Sequence, residues 1–445
     1  MADITVDLNT EGFVVPSTET TSQFKAGFPS EEGLLLALGN TLEREAGYME
    51  VQGVNEWYSK LTGFYPVGYP TDGDSSTVGN WPAGPTGQWA DEWWCVHNYL
   101  QYGGVCCVGA TGTVSHVQDA YETLKDPSID IDCVFGSQIS TTVNNKLMGI
   151  VGVPNVGSNL NSRDDCIAIC CAGVSGPINN NTDNIDAFPL EAIGNKNTFF
   201  VVGEKLHLKT SNTFEEDDSA LETTLVSPDV AGCFARTEAS SKAWFSPAGF
   251  SRGRILGVVR MKYTLSESDA NFLYSNNINP IRTFPGEGTF LFGDKTRRQS
   301  TEHVNFTYVN VTRLFLYLQD LIGNSARKFL FEINNNSSRS AFTNAVTPIL
   351  RSIQGSGGIT SYNIVCDSTN NPASIVDSNQ FVADVYIKPA KSIQTIVLRF
   401  TNKTDNQVIS GGSSATDGGV ATATSSTNTT SSSTSSGSSS TSSGY

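Results

Sequence analysis

Four short apolar runs between residues 110 and 228 constrain the fold of this 445-residue chain most strongly. Strands that are buried on both faces form nearly continuous apolar runs, whereas half-exposed strands alternate. Helical or loop segments separate the four runs, which predicts an α/β layer with partly parallel strands. We expect residues 110–228 to form an outward-facing part. The runs span residues 131–135, 147–153, 166–171 and 198–202.

The segments on either side of this layer show mixed patterns. Upstream, residues 34–38 are a strand candidate, and residues 54–61 and 91–102 have helical spacing and end before glycine. Downstream, Ser266 followed by Asp269 predicts a capped helix start. Residues 250–403 are predicted to form a compact α+β unit, with helices at 309–322 and 340–353 and strands at 254–262, 289–292, 362–366, 381–387 and 393–400.

The two ends of the chain differ from its middle. Residues 1–28 are polar with short alternating pieces, so they cannot bury a core alone. Twenty extended residues reach roughly 65 Å, enough to add a strand to another molecule's sheet edge; a frayed terminus is the alternative. Residues 404–445 are predicted as a second arm and a Ser/Thr/Gly-rich disordered tail. Residues 29–249 then form the α/β region between the first arm and the α+β unit.

The net charge of −16 is unevenly distributed. Residues 242–351 hold 14 Lys and Arg against 7 Asp and Glu, a net charge of +7, so the remaining residues carry −23. Two regions of opposite charge favour two different partners, because complementary potentials steer association. An even scatter of charges over the folded surface remains the alternative.

Signatures of catalysis and cofactor binding are weak. The nine cysteines lie mostly in apolar runs without a Cys-x-x-Cys pair, which favours buried thiols in a reducing compartment. The four histidines lack metal-ligand spacing, and neither a phosphate loop nor a dinucleotide fingerprint is present. We therefore expect no enzyme activity, cofactor or metal. No run of 18 apolar residues or signal segment predicts membrane insertion or export.

Three motifs in the second half of the chain resemble the C-terminal core of contractile phage tail sheath proteins. They read NPIRTFPGEGTFLFGDKTRR at residues 279–298, YVNVTRLFLYLQDLI at 308–322 and VYIKPAKSIQTIVLRF at 385–400. Residues 230–249, VAGCFARTEASSKAWFSPAG, extend the resemblance upstream, and weaker similarity begins near residue 30. The family carries more basic residues in the second motif, where this chain has Thr312 beside a single Arg313.

The resemblance implies a multidomain sheath protein that stacks with copies of itself in a helical lattice around an inner tube, in a virion tail assembled in the host cytoplasm. Baseplate and tail terminator proteins are the other partners it implies. Terminal arms would link subunits through two groups of strand residues, which are Ile4, Val6, Leu8, Phe13 and Val15, and Ile393, Ile396, Leu398 and Phe400.

Five basic residues are the candidates for contact with an acidic tube: Lys295, Arg297, Arg298, Arg327 and Lys328. They are too few and lack the interleaved aromatics that specific nucleic-acid binding needs, in a chain with a pI near 4.7. Solvated loop charges or helix-end capping is the alternative reading of these residues. For the whole chain, a sheath of a non-phage injection system, a monomeric α/β binding protein or enzyme, and a surface adhesin remain alternatives.

Overall fold

The structure is a computed structural model and describes part of the chain. The described residues are 5–8, 11–14, 23–30, 47–60, 90–109, 120–152, 163–178, 183–186, 195–208, 221–298 and 304–392. The predicted strands at 34–38 and 393–400, the residues Ile4 and Val15, and the tail after residue 392 lie outside these ranges.

The strands are numbered in chain order through the described residues. They are β1 (Thr5–Leu8), β2 (Glu11–Val14), β3 (Lys25–Pro29), β4 (Tyr48–Val51), β5 (Val105–Gly109), β6 (Cys133–Phe135), β7 (Ile167–Val174), β8 (Ile185–Asp186), β9 (Thr198–Val202), β10 (Glu204–Leu208), β11 (Leu221–Leu225), β12 (Arg260–Met261), β13 (Asn279–Phe284), β14 (Gly288–Leu291), β15 (Ile359–Val365) and β16 (Asp384–Pro389).

The α-helices are numbered in the same way. They are α1 (Val54–Lys60), α2 (Ala90–Leu100), α3 (Ala120–Leu124), α4 (Thr141–Ile150), α5 (Ser227–Ser240), α6 (Glu267–Ser275), α7 (Val309–Arg327), α8 (Asn336–Gly355) and α9 (Ala373–Asp377). No helix among the described residues is long and apolar enough to cross a bilayer.

A mixed sheet organises most of the fold, with strand order β14-β13-β9-β7-β6-β3-β5-β4 and β8 beside β7. The pairings from β13 through β9, β7, β6 and β3 to β5 are parallel. The outer strands β14 and β4 pair antiparallel. Strands β7 and β9 are buried along their whole length, as expected for parallel strands covered on both faces. The predicted layer of partly parallel strands is therefore confirmed.

Helices cover both faces of this sheet. On one face, Ile167 and Ile169 of β7 join a core that contains Trp93 of α2 and Phe234 of α5. On the other face, Ala168 of the same strand joins a core lined by α3, α4 and α6. Successive side chains of a strand point to opposite faces, so a single apolar run serves both cores.

Residues 147–153 are not the strand that their apolar run predicts. Of these, residues 147–152 belong to α4 and the turn that follows, and residue 153 lies outside the described ranges. Ser140 caps this helix by accepting a hydrogen bond from the backbone amide of Thr142 at 3.2 Å. The buried residues of α4 include Leu147, Met148, Gly149 and Ile150, which are consecutive in sequence. A short apolar run of this kind cannot be assigned to strand or helix by periodicity alone.

The predicted strand at 254–262 is also wrong over most of its length, since β12 contains two residues. Gly257 has a left-handed φ of 64°, which interrupts an extended strand. Arg254 instead forms an isolated bridge with Phe290 of β14. The segment before β12 therefore covers the outer edge of β14.

Two predicted domain boundaries need correction. Residues 25–28, assigned to the N-terminal arm of residues 1–28, lie in β3 at the centre of the sheet. Strands β13 and β14, assigned to a separate unit of residues 250–403, extend the same sheet through the pairing of Asn279 with Val201. Parallel pairing between segments that are distant in sequence places residues 25–28 and strands β13 and β14 in one sheet. The local pattern of the sequence does not reveal such pairing partners.

Helices α7 and α8 and the β15–β16 sheet form a third core around Leu314, Phe342 and Leu350. Both helices are longer than predicted, and Asn335 caps α8 by accepting a hydrogen bond from the amide of Ser338 at 2.9 Å. The expected α+β arrangement is therefore present in residues 309–389.

Candidate assembly surfaces

The β15–β16 sheet has two open sides within the described residues. The strands pair antiparallel with each other, and Tyr362 lies opposite Ile387. One face packs on the α7–α8 core through Ile364 and Val385, whereas Tyr386 is 59% exposed. A two-stranded sheet that lacks further strands can accept another strand by backbone hydrogen bonding.

The side-chain amides of buried Asn371 and half-buried Asn370 hold this sheet in place. Asn371 donates to the Val382 carbonyl at 2.7 Å and accepts from the Val382 amide at 2.8 Å. Asn370 donates to the Val365 carbonyl at 2.6 Å and to the Asp384 carboxylate at 3.1 Å. These bonds connect the end of β15 to the start of β16, so the sheet is a pre-organised platform.

The N-terminal segment contains a hairpin instead of one extended strand. Strand β1 pairs antiparallel with β2, which places Val6 opposite Phe13 and Leu8 opposite Glu11. The expectation of a fully extended arm is therefore wrong for residues 5–14, because the chain folds back on itself. An isolated two-stranded hairpin is marginally stable in water, so further strand pairing would stabilise it.

The five basic candidates differ in exposure. Arg297 is buried, donates from Nη1 to the Asn276 carbonyl at 2.7 Å, and lies 5.8 Å from the centre of the Phe200 ring. Burial lowers the pKa of Arg297 to about 10. Arg297 is thus a structural residue, and its placement on a tube-facing surface is wrong.

The other four basic candidates are more accessible. Lys295 is half-buried, and its Nζ donates to the Tyr274 carbonyl oxygen at 2.9 Å and lies 4.0 Å from the centre of the Tyr274 ring. Burial lowers the pKa of Lys295. Arg298 and Arg327 are also half-buried, whereas Lys328 is exposed. Lys328 is therefore the member of this group best placed to meet a partner.

Arg313, the single arginine of the second motif, serves the interior. Its guanidinium donates to Glu238 at 2.6 Å and lies 5.2 Å and 5.1 Å from the ring centres of Phe24 and Phe234. Thr312 is buried beside it and donates to the Lys196 carbonyl at 3.4 Å. These contacts join α7 to α5 and to the residue that precedes β3.

A buried ion pair, missed in the sequence, joins β10 to α5. Lys205 donates to Asp229 at 2.8 Å, and both side chains are fully buried. Tyr102 also donates to Asp229, at 3.0 Å. Burial raises the pKa of Asp229, while Lys205 and Tyr102 act in the opposite direction. The Ser-Pro-Asp sequence at the start of α5 predicts a helix terminus. Nothing in the sequence around Lys205 distinguishes this buried lysine from an exposed lysine in a strand.

Titratable groups in the interior are placed for packing. The nine cysteines are free and buried, and burial raises the pKa of Cys171 and Cys233 to about 12, which disfavours the reactive thiolate. Burial lowers the pKa of His97 to about 4, and its ring stacks on Trp93 with centroids 5.2 Å apart. No cluster of three or more potential metal ligands occurs among the described residues.

The fold is that of contractile sheath proteins. The PVC sheath complex of an extracellular contractile injection system, in its contracted state, gives a TM-score of 0.62 over 90% of this chain and 98% of its own, at 17% identity. The contracted helical sheath of the anti-feeding prophage gives a TM-score of 0.61 over 87% and 95%, at 14% identity.

The sequence is related to phage tail sheath proteins, which confirms the resemblance found in its motifs. Residues 301–403 match the phage tail sheath C-terminal domain. The tail sheath protein of Enterobacteria phage T4 is 31% identical over 73% of this chain and 48% of its own length. That of Vibrio phage KVP40 is 45% identical over 39% of this chain and 25% of its own. The chain thus spans about half or less of these relatives' length.

Proposed function

We propose that this chain is the protomer of a contractile phage tail sheath, which polymerises around an inner tube and contracts to drive the tube through the host envelope during genome delivery. The similarity to the T4 tail sheath protein over 73% of the chain carries this proposal. The role is structural and needs no catalytic centre, cofactor or nucleotide. The protein would act in the virion tail after assembly in the host cytoplasm.

Contraction in this proposal is a rearrangement of subunits that move largely as rigid bodies. The covered parallel sheet and the buried Lys205–Asp229 pair favour a stiff protomer, because packed interiors resist continuous deformation. The work would come from interface free energy stored in an extended, metastable lattice. Segments that pair across subunits keep neighbours connected while the lattice widens and shortens.

The β1–β2 hairpin and the β15–β16 sheet are the proposed connectors. If the hairpin of one copy docked on the β15–β16 sheet of another, the unpaired backbone N–H and C=O groups of an edge strand in each would pair with each other. Residues 393–400, with Ile393, Ile396, Leu398 and Phe400, are proposed as an additional strand of this joint.

The inner tube, baseplate and tail terminator proteins are the other proposed partners. Lys328 is the main proposed tube-facing cation, and half-buried Lys295, Arg298 and Arg327 are proposed as further basic residues that face the tube. An acidic tube surface would meet these cations, and such contacts weaken with added salt.

A sheath of a non-phage injection system is the second candidate, favoured by the fold shared with the PVC and anti-feeding prophage sheaths. Neighbouring genes separate the two candidates, because capsid and terminase genes accompany a phage sheath.

Removing residues 1–20 tests the connector. The truncated chain loses β1 and β2 but keeps β3, so we expect a folded, soluble monomer that does not polymerise. Sedimentation velocity measures whether the chain is monomeric or polymerised, and circular dichroism measures whether it is folded. Removing residues 426–445 deletes the same length of chain from the Ser/Thr-rich end and should leave polymerisation intact. Normal polymerisation of the first variant would refute the hairpin as a connector.

A further inference from the structure

The turn between α7 and α8 presents an apolar knob, formed by Phe331, Glu332 and Ile333. Phe331 is 93% exposed and Ile333 is 76% exposed. Phe331 also has a left-handed φ of 67°, a conformation that bulky residues rarely adopt. Strained residues of this kind persist where the surroundings enforce them, and they occur often at functional positions.

Hydrogen bonds fix the knob to the protein. Ser338 donates to the Ile333 carbonyl at 2.7 Å, and Asn334 donates to the Gln380 carbonyl at 2.7 Å. Arg339 in turn donates to the Asn334 side chain at 2.8 Å. The knob is therefore pre-organised, so binding through it would lose little conformational entropy.

A second exposed apolar surface, the aromatic patch, is formed by Phe250, Phe284 of β13, Phe290 of β14 and Phe292, which follows β14. Phe250 is 51% exposed and lies 5.0 Å from Phe284 and 5.8 Å from Phe292, measured between ring centres. The guanidinium of Arg282 lies 5.1 Å from the Phe284 ring centre and 5.8 Å from that of Phe292. The patch is therefore aromatic and positively charged.

The knob and the patch have complementary charge. Glu332 lies between the two apolar side chains of the knob, and Arg282 lies over the rings of the patch. Within the described residues, neither side chain forms a salt bridge. A negatively charged apolar knob fits a positively charged aromatic patch, because burial of the rings would also bring opposite charges together.

We propose that the knob of one copy docks on the aromatic patch of a second copy, and that Glu332 pairs with Arg282 across this contact. The proposal rests on the proposed function, since both partners are copies of one chain. The two surfaces are different, so the contact is head-to-tail and can repeat without closing. Heterologous contacts generate closed rings where the rotation between copies closes and helical filaments where it does not.

A charge exchange tests the pairing. Glu332→Arg and Arg282→Glu should each raise the protein concentration needed for polymerisation by on the order of tenfold or more, because like charges would face each other. The double variant should recover most of the loss. Arg351→Glu changes an exposed arginine elsewhere and should have little effect. Single variants that polymerise normally, or a double variant without recovery, would overturn the pairing.

Two further variants separate docking from folding. Phe331→Gly suits the left-handed backbone, so thermal stability should be maintained or raised while polymerisation is weakened. Mixing Ser337→Cys copies with Glu287→Cys copies under polymerising conditions should yield a cross-linked dimer through a short thiol-specific linker, since the nine native thiols are buried. Ser337 and Glu287 are exposed residues beside the knob and beside the patch, so both cysteine variants keep the apolar side chains of the contact. Either variant alone should yield much less.

The outcomes distinguish this inference from the proposed function. If the unmodified chain polymerises but the mixed cysteine variants do not cross-link, the contact is wrong and the sheath proposal stands. If the knob variants polymerise normally and lose binding to the tube protein, the knob meets the tube instead of a second copy. If the unmodified chain does not polymerise at all, both proposals fail.

Discussion

Asp229→Ala should lower the free energy of unfolding by about 3–5 kcal/mol, because it leaves the Lys205 ammonium buried without its partner. The two side chains are fully buried, and Lys205 keeps one other bond, from Nζ to the Leu256 carbonyl at 3.0 Å. Tyr102 would also lose its acceptor, although its hydroxyl still accepts from the Leu256 amide at 2.8 Å. Urea denaturation of the purified chain measures the change.

A double variant separates the unpaired charge from lost packing. Lys205→Met with Asp229→Leu removes both charges and keeps apolar volume, so its cost should be far smaller than that of Asp229→Ala. If the free energy of unfolding of Asp229→Ala lies within about 1 kcal/mol of that of the unmodified chain, Lys205 and Asp229 do not form the buried ion pair described above. The double variant should also polymerise, because the pair lies in the interior.

Arg297→Glu should destabilise the chain by at least about 3 kcal/mol, because it places an unpaired carboxylate in a buried site. The native guanidinium donates to the Asn276 carbonyl and lies beside the Phe200 ring, and a carboxylate can do neither favourably. Thermal unfolding followed by circular dichroism measures the loss. Reversal of Lys295, Arg297 and Arg298 together would therefore destabilise the fold through Arg297, so a loss of tube binding by that variant would not report on surface contact alone.

Lys328→Glu is the matched control for this prediction. Lys328 is exposed, so its reversal should change stability by less than about 0.5 kcal/mol. The same variant then serves as the informative test of tube contact, because the fold is retained. An Arg297→Glu protein as stable as Lys328→Glu would show that Arg297 is not buried in the folded chain.

The local sequence pattern predicted those helices and strands in which buried residues recur at regular spacing. The apolar run at 198–202 corresponds to β9, and the apolar spacing after Val309 predicts α7, because both are buried along one or two faces. The capping pattern at Ser266 was also sufficient, since its hydroxyl accepts from the Asp269 amide at 3.1 Å. Each of these signals depends on neighbours within a few residues.

The remaining features depend on partners that are distant in sequence. Residues 25–28 look like part of a polar arm, yet they pair with β5 and β6 and become the middle of the sheet. In sequence, Arg297 is indistinguishable from half-buried Lys295 and Arg298, and its burial depends on Phe200 and Asn276, which pack against it in the fold. The exposure of Phe331 had no sequence signal, because an apolar residue at a helix end is usually expected to pack inward.

Negative-stain electron microscopy of the purified full-length chain at increasing concentration tests the central claim most directly. The proposed sheath function predicts striated hollow cylinders, and it predicts that the chain without residues 1–20 remains monomeric under the same conditions. Monodisperse particles of a single chain at all concentrations, with stability that depends on a small-molecule ligand, would contradict it and favour a monomeric α/β binding protein or enzyme.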